Sequence, residues 1–330
     1  MTSTIIGDGI ADDTLAIQQL INTTRVVVLP AGTFKITAPL TFPFYECGIS
    51  GVSSSLTKLK ICFNPPTDGT IIGALDFGTN DAKSGSFIEK LAIIGDILRE
   101  KSLAINVKYW TNCSVIRDVR IDNMANGIRL EKSWYGIFEN VRIRNGSKNG
   151  YGLEFVGTEQ VNGTVFDRFF ISGFKHAVYF NQSTTCYVLS FRGCTFEGCN
   201  NVAVKAKSTV CLNLDSCYFE NNNISLKSNT TVPVVFENPT SIYIGTHGLR
   251  SPITINNCYF NESKWADGID MSNSCLIYCG STNVSVALTN SFSQGDGVHN
   301  IDRALYVIVN GKAPIISNWN ATGSPFSATK

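Results

Sequence analysis

Leu212-Asn213-Leu214-Asp215-Ser216-Cys217-Tyr218-Phe219 places apolar residues at alternate positions, interrupts them with a polar pair, and then alternates again. Period-2 alternation marks a strand with one buried face, so the octet reads as two short strands meeting at a two-residue bend. It returns as Leu189-Ser190-Phe191-Arg192-Gly193-Cys194-Thr195-Phe196 and as Ile253-Thr254-Ile255-Asn256-Asn257-Cys258-Tyr259-Phe260. Shorter copies run from Ile116 to Ile121 and from Phe138 to Ile143, and Phe166 to Ile171 fits more loosely. Aligned on Val119, Val141, Phe169, Cys194, Cys217 and Cys258, the copies lie 22, 28, 25, 23 and 41 residues apart. A unit this short cannot bury its own apolar face, whereas stacked units can, which is the logic of a solenoid.

A third alternating stretch follows each copy: Gly127-Ile128-Arg129-Leu130-Glu131, Gly152-Leu153-Glu154-Phe155, Ala177-Val178-Tyr179-Phe180 and Asn223-Ile224-Ser225-Leu226. Three short strands per turn predict an all-β, single-stranded parallel β-helix whose inward residues stack in columns. Asn140, Asn257 and Asn290 occupy the bend, where asparagine tolerates a left-handed backbone better than any other non-glycine residue. Cys194, Cys217 and Cys258 then share one inward column as small hydrophobes.

The composition agrees with this reading. Among 330 residues, 43% are hydrophobic and only 16% charged, a profile of many strands and polar turns that excludes disorder and coiled coil. The net charge of +1, with no basic cluster interleaved with aromatics, argues against nucleic acid as a partner. No apolar run approaches the roughly 18 residues of a membrane helix, so membrane insertion is not expected. The residues from Met1 to Asp8 show no basic segment followed by an apolar one, so no export signal is expected. The ten Asn-x-Ser/Thr triplets then reflect composition. Eleven cysteines, an odd number in a chain long enough to build a core, read as reduced and buried thiols. With His176, His247 and His299 the only histidines, neither Cys194/Cys199 nor Cys275/Cys279 gains ligands at zinc spacing. Asp267, Asp270 and Asp296 would hold calcium only if other acidic loops converged on them. No metal or cofactor is therefore expected.

At the N-terminus, Asp12 or Asp13 is placed to cap a helix whose apolar residues Ile17, Leu20 and Ile21 have helical spacing. Such a helix over the first rung would protect an open end of the stack. Gly7-Asp8-Gly9-Ile10-Ala11-Asp12-Asp13-Thr14, followed by Ala16-Ile17-Gln18 and by Val28-Leu29-Pro30-Ala31-Gly32-Thr33-Phe34, resembles the opening signature of the pectate-lyase-like right-handed β-helix superfamily. Within it the chain is most similar to bacteriophage tailspikes, depolymerases of bacterial surface polysaccharide. The resemblance implies a right-handed β-helix with an N-terminal capping helix and first strands over 1–40, the solenoid over 41–303 and a closing strand and tail over 304–330. It also implies a homotrimer in a phage tail, made in the bacterial cytoplasm, that endo-cleaves a capsule or O-antigen. A trimer would shield the outward Phe170, Tyr218 and Tyr259.

Cleavage of a glycosidic bond by hydrolysis uses two carboxyl groups, one as acid and one as base or nucleophile, roughly 5 to 9.5 Å apart. Glu131 and Glu154 fall on successive rungs of one sheet, offset by one outward position, a backbone diagonal of about 8 Å. Arg129 and Tyr179 join them on that face, Trp134 and Tyr135 follow in the next turn, and Lys175 and His176 precede the next strand. Cations and aromatic faces of this kind hold acidic sugars and stack on rings. Each residue also has a plain structural role open to it: solvated carboxylates, a neutralising Arg129, packing for Trp134 and Tyr135, a satisfied turn histidine. Glu197 and Glu220 form a second stacked pair, and Asp167 near Glu139 a third candidate. If the polymer carries uronic acids, β-elimination through Arg129, Lys175, His176 or Tyr179 competes with hydrolysis; a non-catalytic carbohydrate-binding fibre would use the same groove.

Overall fold

The computed structural model describes residues 4–78, 82–157, 160–181, 185–206, 209–222, 242–244, 251–261, 277–279, 284–294, 307–309, 315–317 and 320–322. The stretch from Asn223 to Leu226, Asp267, Asp270, Asp296, His247, His299 and Cys275 lie outside them.

Strands that are neighbours in space are one repeat apart in sequence and pair in parallel throughout, so the chain winds as a parallel β-helix. Among the described residues, one face is a ten-stranded sheet that includes Leu75–Phe77, Leu103–Lys108, Asn126–Glu131, Tyr151–Val156, His176–Phe180 and Val204–Ala206. The other described strands form a 22-stranded sheet folded along the bend. Parallel pairing continues to Ile315–Ser317 and Asn320–Thr322.

The interior follows the alternation. Val119, Val141, Phe169, Cys194, Cys217 and Cys258 are each 1% exposed and form one inward column. Beside it run Phe138, Phe166 and Phe191, whose rings stack at 4.9 and 4.6 Å. The column thiols donate to carbonyls one rung back, Cys194 to Phe166, Cys217 to Phe191 and Cys258 to Leu214. Hydrogen bonding to the neighbouring cysteines and burial hold the Cys217 thiol well above its ordinary titration range, so it packs as a neutral hydrophobe. Burial does not extend to every cysteine: Cys113 is exposed, because it lies in a turn with a left-handed backbone, φ 63°.

The bend is left-handed at each expected asparagine, with φ of 51° at Asn140, 52° at Asn257 and 45° at Asn290. Val115–Asp122 and Ile137–Arg144 run through the bend as single strands rather than the two that the octet predicts. Asn140 also donates through Nδ2 to Oδ1 of Asp118 one rung back, 2.6 Å away. Asn140→Ala is expected to destabilise the fold by about 1 kcal/mol, and Asn140→Gly by less, since glycine retains the conformation; urea melts of the two variants measure the difference.

The helix Thr14–Thr24 turns Ala16, Ile17 and Ile21 inward against the first strands. Of the two candidate caps, the Asp12 carboxylate accepts the Thr14 N–H at 3.0 Å, while the buried Asp13 turns back to accept the N–H of Ile6 at 2.7 Å. Among the described residues no helix is long and apolar enough to cross a membrane.

Candidate functional site

On the ten-stranded sheet, pairing aligns Asp76, Asn106, Arg129, Glu154, Tyr179 and Lys205 as successive outward residues of one column. Arg129 and Glu154 are direct partners, and Nη1 lies 3.9 Å from Oε2. The Glu154 side chain is only 16% exposed, and its burial raises the carboxyl above the ordinary carboxylate range against the opposing pull of Arg129. Glu131 lies on the Arg129 strand two residues on, paired with Val156, and its Oε1 is 3.5 Å from Lys108 Nζ. Glu131 and Glu154 are thus on adjacent rungs, one outward position apart.

The segment between the strands Thr57–Ile61 and Leu75–Phe77 lies beside this face. Its Pro65, Pro66, Ile71 and Ile72 form one wall of a cavity of about 310 Å³. Arg129, Glu154 and Tyr151 line the same cavity, with Lys101, Leu103 and Asn126. Tyr151 stacks on Tyr179 at 4.4 Å, and burial pushes its phenol up to about 12. A largely buried carboxyl, a guanidinium, an amine and an apolar wall converge here, which suits a polar ligand with defined orientation.

The remaining candidates occupy different surroundings. His176 opens its strand as a buried residue, 1% exposed; Nδ1–H donates to the Val202 carbonyl at 2.7 Å and the ring stacks with Tyr179 at 5.6 Å, so it braces the tyrosines instead of facing a ligand. Lys175, in the preceding turn, donates its N–H to the Gly150 carbonyl at 2.9 Å. Trp134 meets Tyr109 edge to face at 5.3 Å, and Lys132 Nζ lies 4.3 Å from the Tyr109 ring centre. Tyr135 is 62% exposed.

Glu197 and Glu220 are direct register partners, on the 22-stranded sheet and not beside Glu154. Glu220 Oε1 accepts from Asn261 Nδ2 at 3.4 Å. Asp167 belongs to an outward ladder of alternating charge. Arg168 Nε lies 3.1 Å from it and Arg192 Nε 3.7 Å, while Glu139 is shared by Arg117 and Arg168. That ladder neutralises itself along the bend. Lys101, Asn126 and Tyr151 escaped the sequence reading, although Asn126 and Tyr151 start the two strands that carry Arg129 and Glu154.

The description "rhamnogalacturonase A/epimerase, pectate lyase-like" matches residues 2–223. No curated protein sequence matches. Among solved structures, ORF18 of Geobacillus virus E2 aligns with a TM-score of 0.61 at 18% identity, over 89% of this chain and 60% of that one. The tailspike of Acinetobacter phage vB_ApiP_P1 gives 0.63 at 12% identity, over 98% of this chain and 58% of its own. DFA-IIIase from Arthrobacter chlorophenolicus A6 gives 0.64 at 11% identity, over 97% of both chains. This chain therefore spans about three-fifths of each viral protein, and at these identities the likeness is one of fold. By the match over residues 2–223, the chain belongs to the rhamnogalacturonase A/epimerase family of pectate-lyase-like proteins.

Proposed function

We propose that this protein is a tailspike-like depolymerase that binds a bacterial capsule or O-antigen over the Arg129–Glu154 face and cleaves it within the chain by glycoside hydrolysis. The observation that carries this reading is the pairing of unlike carboxyl environments: Glu154, dried and raised above its ordinary range, beside Glu131, which lies next to Lys108. The first suits a general acid and the second a base. A backbone diagonal of about 8 Å leaves room for a water between them, the spacing of an inverting enzyme, roughly 6.5–9.5 Å. Arg129 and Lys101 would hold anionic groups of the glycan, with Lys175 at the approach. Trp134 and Tyr135 would offer ring faces beyond Glu131.

Assembly as a homotrimer in a phage tail would cover the outward aromatics Phe170, Tyr218 and Tyr259, and the helix Thr14–Thr24 would close the first rung. The test is incubation with a panel of purified capsular and O-antigen polysaccharides, following chain length, ultraviolet absorbance and the anomer released. Shortening with inversion and no new absorbance is expected. Absorbance from an unsaturated product would replace hydrolysis by β-elimination, and binding without shortening would make the protein an adhesion fibre. Glu131→Gln is expected to lower cleavage by about 10²-fold or more; unchanged turnover would remove Glu131 from the mechanism.

A further inference from the structure

The wall of the cavity has no partner strand, so something must hold it beside the sheet. At its near end Asn64 Oδ1 accepts from Arg99 Nε at 2.9 Å. The same guanidinium spends both of its other nitrogens on the Asp96 carboxylate, with Nη2 3.3 Å from Oδ2. Arg99 thereby ties the turn of one rung to the insertion of the rung before it. At the far end the Gly73 N–H donates to Asp76 Oδ2 at 2.8 Å, and Asn106 Nδ2 reaches the same oxygen at 3.0 Å. Between these two anchors the rings of Pro65 and Pro66 fix φ at two successive residues, which stiffens the span.

The wall matters to the floor because of what it excludes. Glu154 points into a cavity one side of which is Pro65, Pro66, Ile71 and Ile72. Withdrawing that side would admit water to the carboxyl. We propose that Arg99 is a positioning residue whose fork on Asn64 and Asp96 holds the 65–72 wall against the Arg129–Glu154 floor and keeps Glu154 dry. The importance of this for catalysis rests on the hydrolytic reading, but the placement of the wall does not.

The experiment needs no substrate. In the full chain labelled with carboxyl-¹³C glutamate, the Glu154 resonance is identified by its absence in Glu154→Gln and titrated in wild type, Arg99→Ala and Asn64→Ala. The charged and titratable groups around Glu154 are Arg129 on the adjacent strand, Tyr151 on its own strand, Tyr179 on the next and Lys101 in the neighbouring turn. Removing a cation by itself stabilises a protonated carboxyl and moves the midpoint up. Loosening the wall rehydrates the carboxylate and moves it down, so the two roles differ in sign. A fall of roughly half a pH unit or more is expected in both variants, with melting temperatures that show the coil intact. A midpoint that is unchanged or higher in Asn64→Ala, which alters no charge and lies at an exposed position, overturns the proposal. Should Arg99→Ala fail to fold, Asn64→Ala decides alone. A downward shift in a protein that cleaves no polysaccharide would leave the positioning role standing and the hydrolytic reading fallen.

Discussion

Glu154→Gln is expected to lower polysaccharide cleavage by about 10²–10⁴-fold, the usual contribution of a positioned general acid, while the glycan still binds. Glutamine keeps the shape of the side chain but has no proton to give the leaving oxygen. Wild-type cleavage should decline as pH rises through the folded-state value of Glu154, since only the protonated form acts; the variant's residual rate should lose that limb. The same substitution has a stability signature of opposite sense. Burial raises the folded-state Glu154 carboxyl above the ordinary value of 4.5, so the folded protein binds this proton more tightly than the unfolded chain does. That stabilisation is complete below the unfolded value and is lost as pH rises through the folded one. Glu154→Gln escapes the loss. It should melt like wild type in acid and above wild type at neutral pH, by about 1.4 kcal/mol for each unit of displacement. Thermal melts at the two pH values measure this, and a neutral-pH loss of stability would mean that the carboxylate is held by a stronger partnership than Arg129 provides.

What the sequence discloses follows from which forces are periodic. The inward column from Val119 to Cys258 was legible because every rung has to bury a side chain at the same place, and a stack repeats that demand every coil. The asparagine bends were legible for the same reason: the left-handed backbone recurs, and few residues accept it. Arg129, Glu154 and Tyr179 could be placed in one outward column because spacing of one repeat becomes adjacency. The wall from Pro65 to Ile72 was not legible. It belongs to one rung, has no repeat to align with, and reaches Glu154 only through the crossing of turns up to some ninety residues apart in sequence. Lys101 and Tyr151 became site residues through that wall, and no local pattern distinguishes them from other turn and edge positions. His176 shows the other limit of a single sequence: its polar ring invites a role in chemistry, and only the fold shows that its Nδ1–H is committed to the Val202 carbonyl.

Phe166→Ala should be the most damaging core substitution, costing about 3–5 kcal/mol, whereas Phe170→Ala, four residues on, should cost under about 1 kcal/mol. Phe166 is 0% exposed and stacks between Phe138 and Phe191 at 4.9 and 4.6 Å. It also meets Phe155 and Phe169 edge to face at 5.7 and 5.5 Å, so truncation leaves four rings without their shared partner. Phe155 follows Glu154 on the same strand, so the cavity opens beneath the site and part of the loss should appear as weaker glycan binding. Phe170 faces outward on the 22-stranded sheet, half-buried beneath the Arg142 guanidinium at 4.9 Å. Because strand side chains alternate, a one-residue slip in register would exchange the two faces. Phe170 would then be the buried ring and Phe166 the outward one. Urea titrations of the two variants therefore test the register of this rung directly: a larger loss in Phe170→Ala than in Phe166→Ala would mean that Phe170, and not Phe166, is the ring turned into the core.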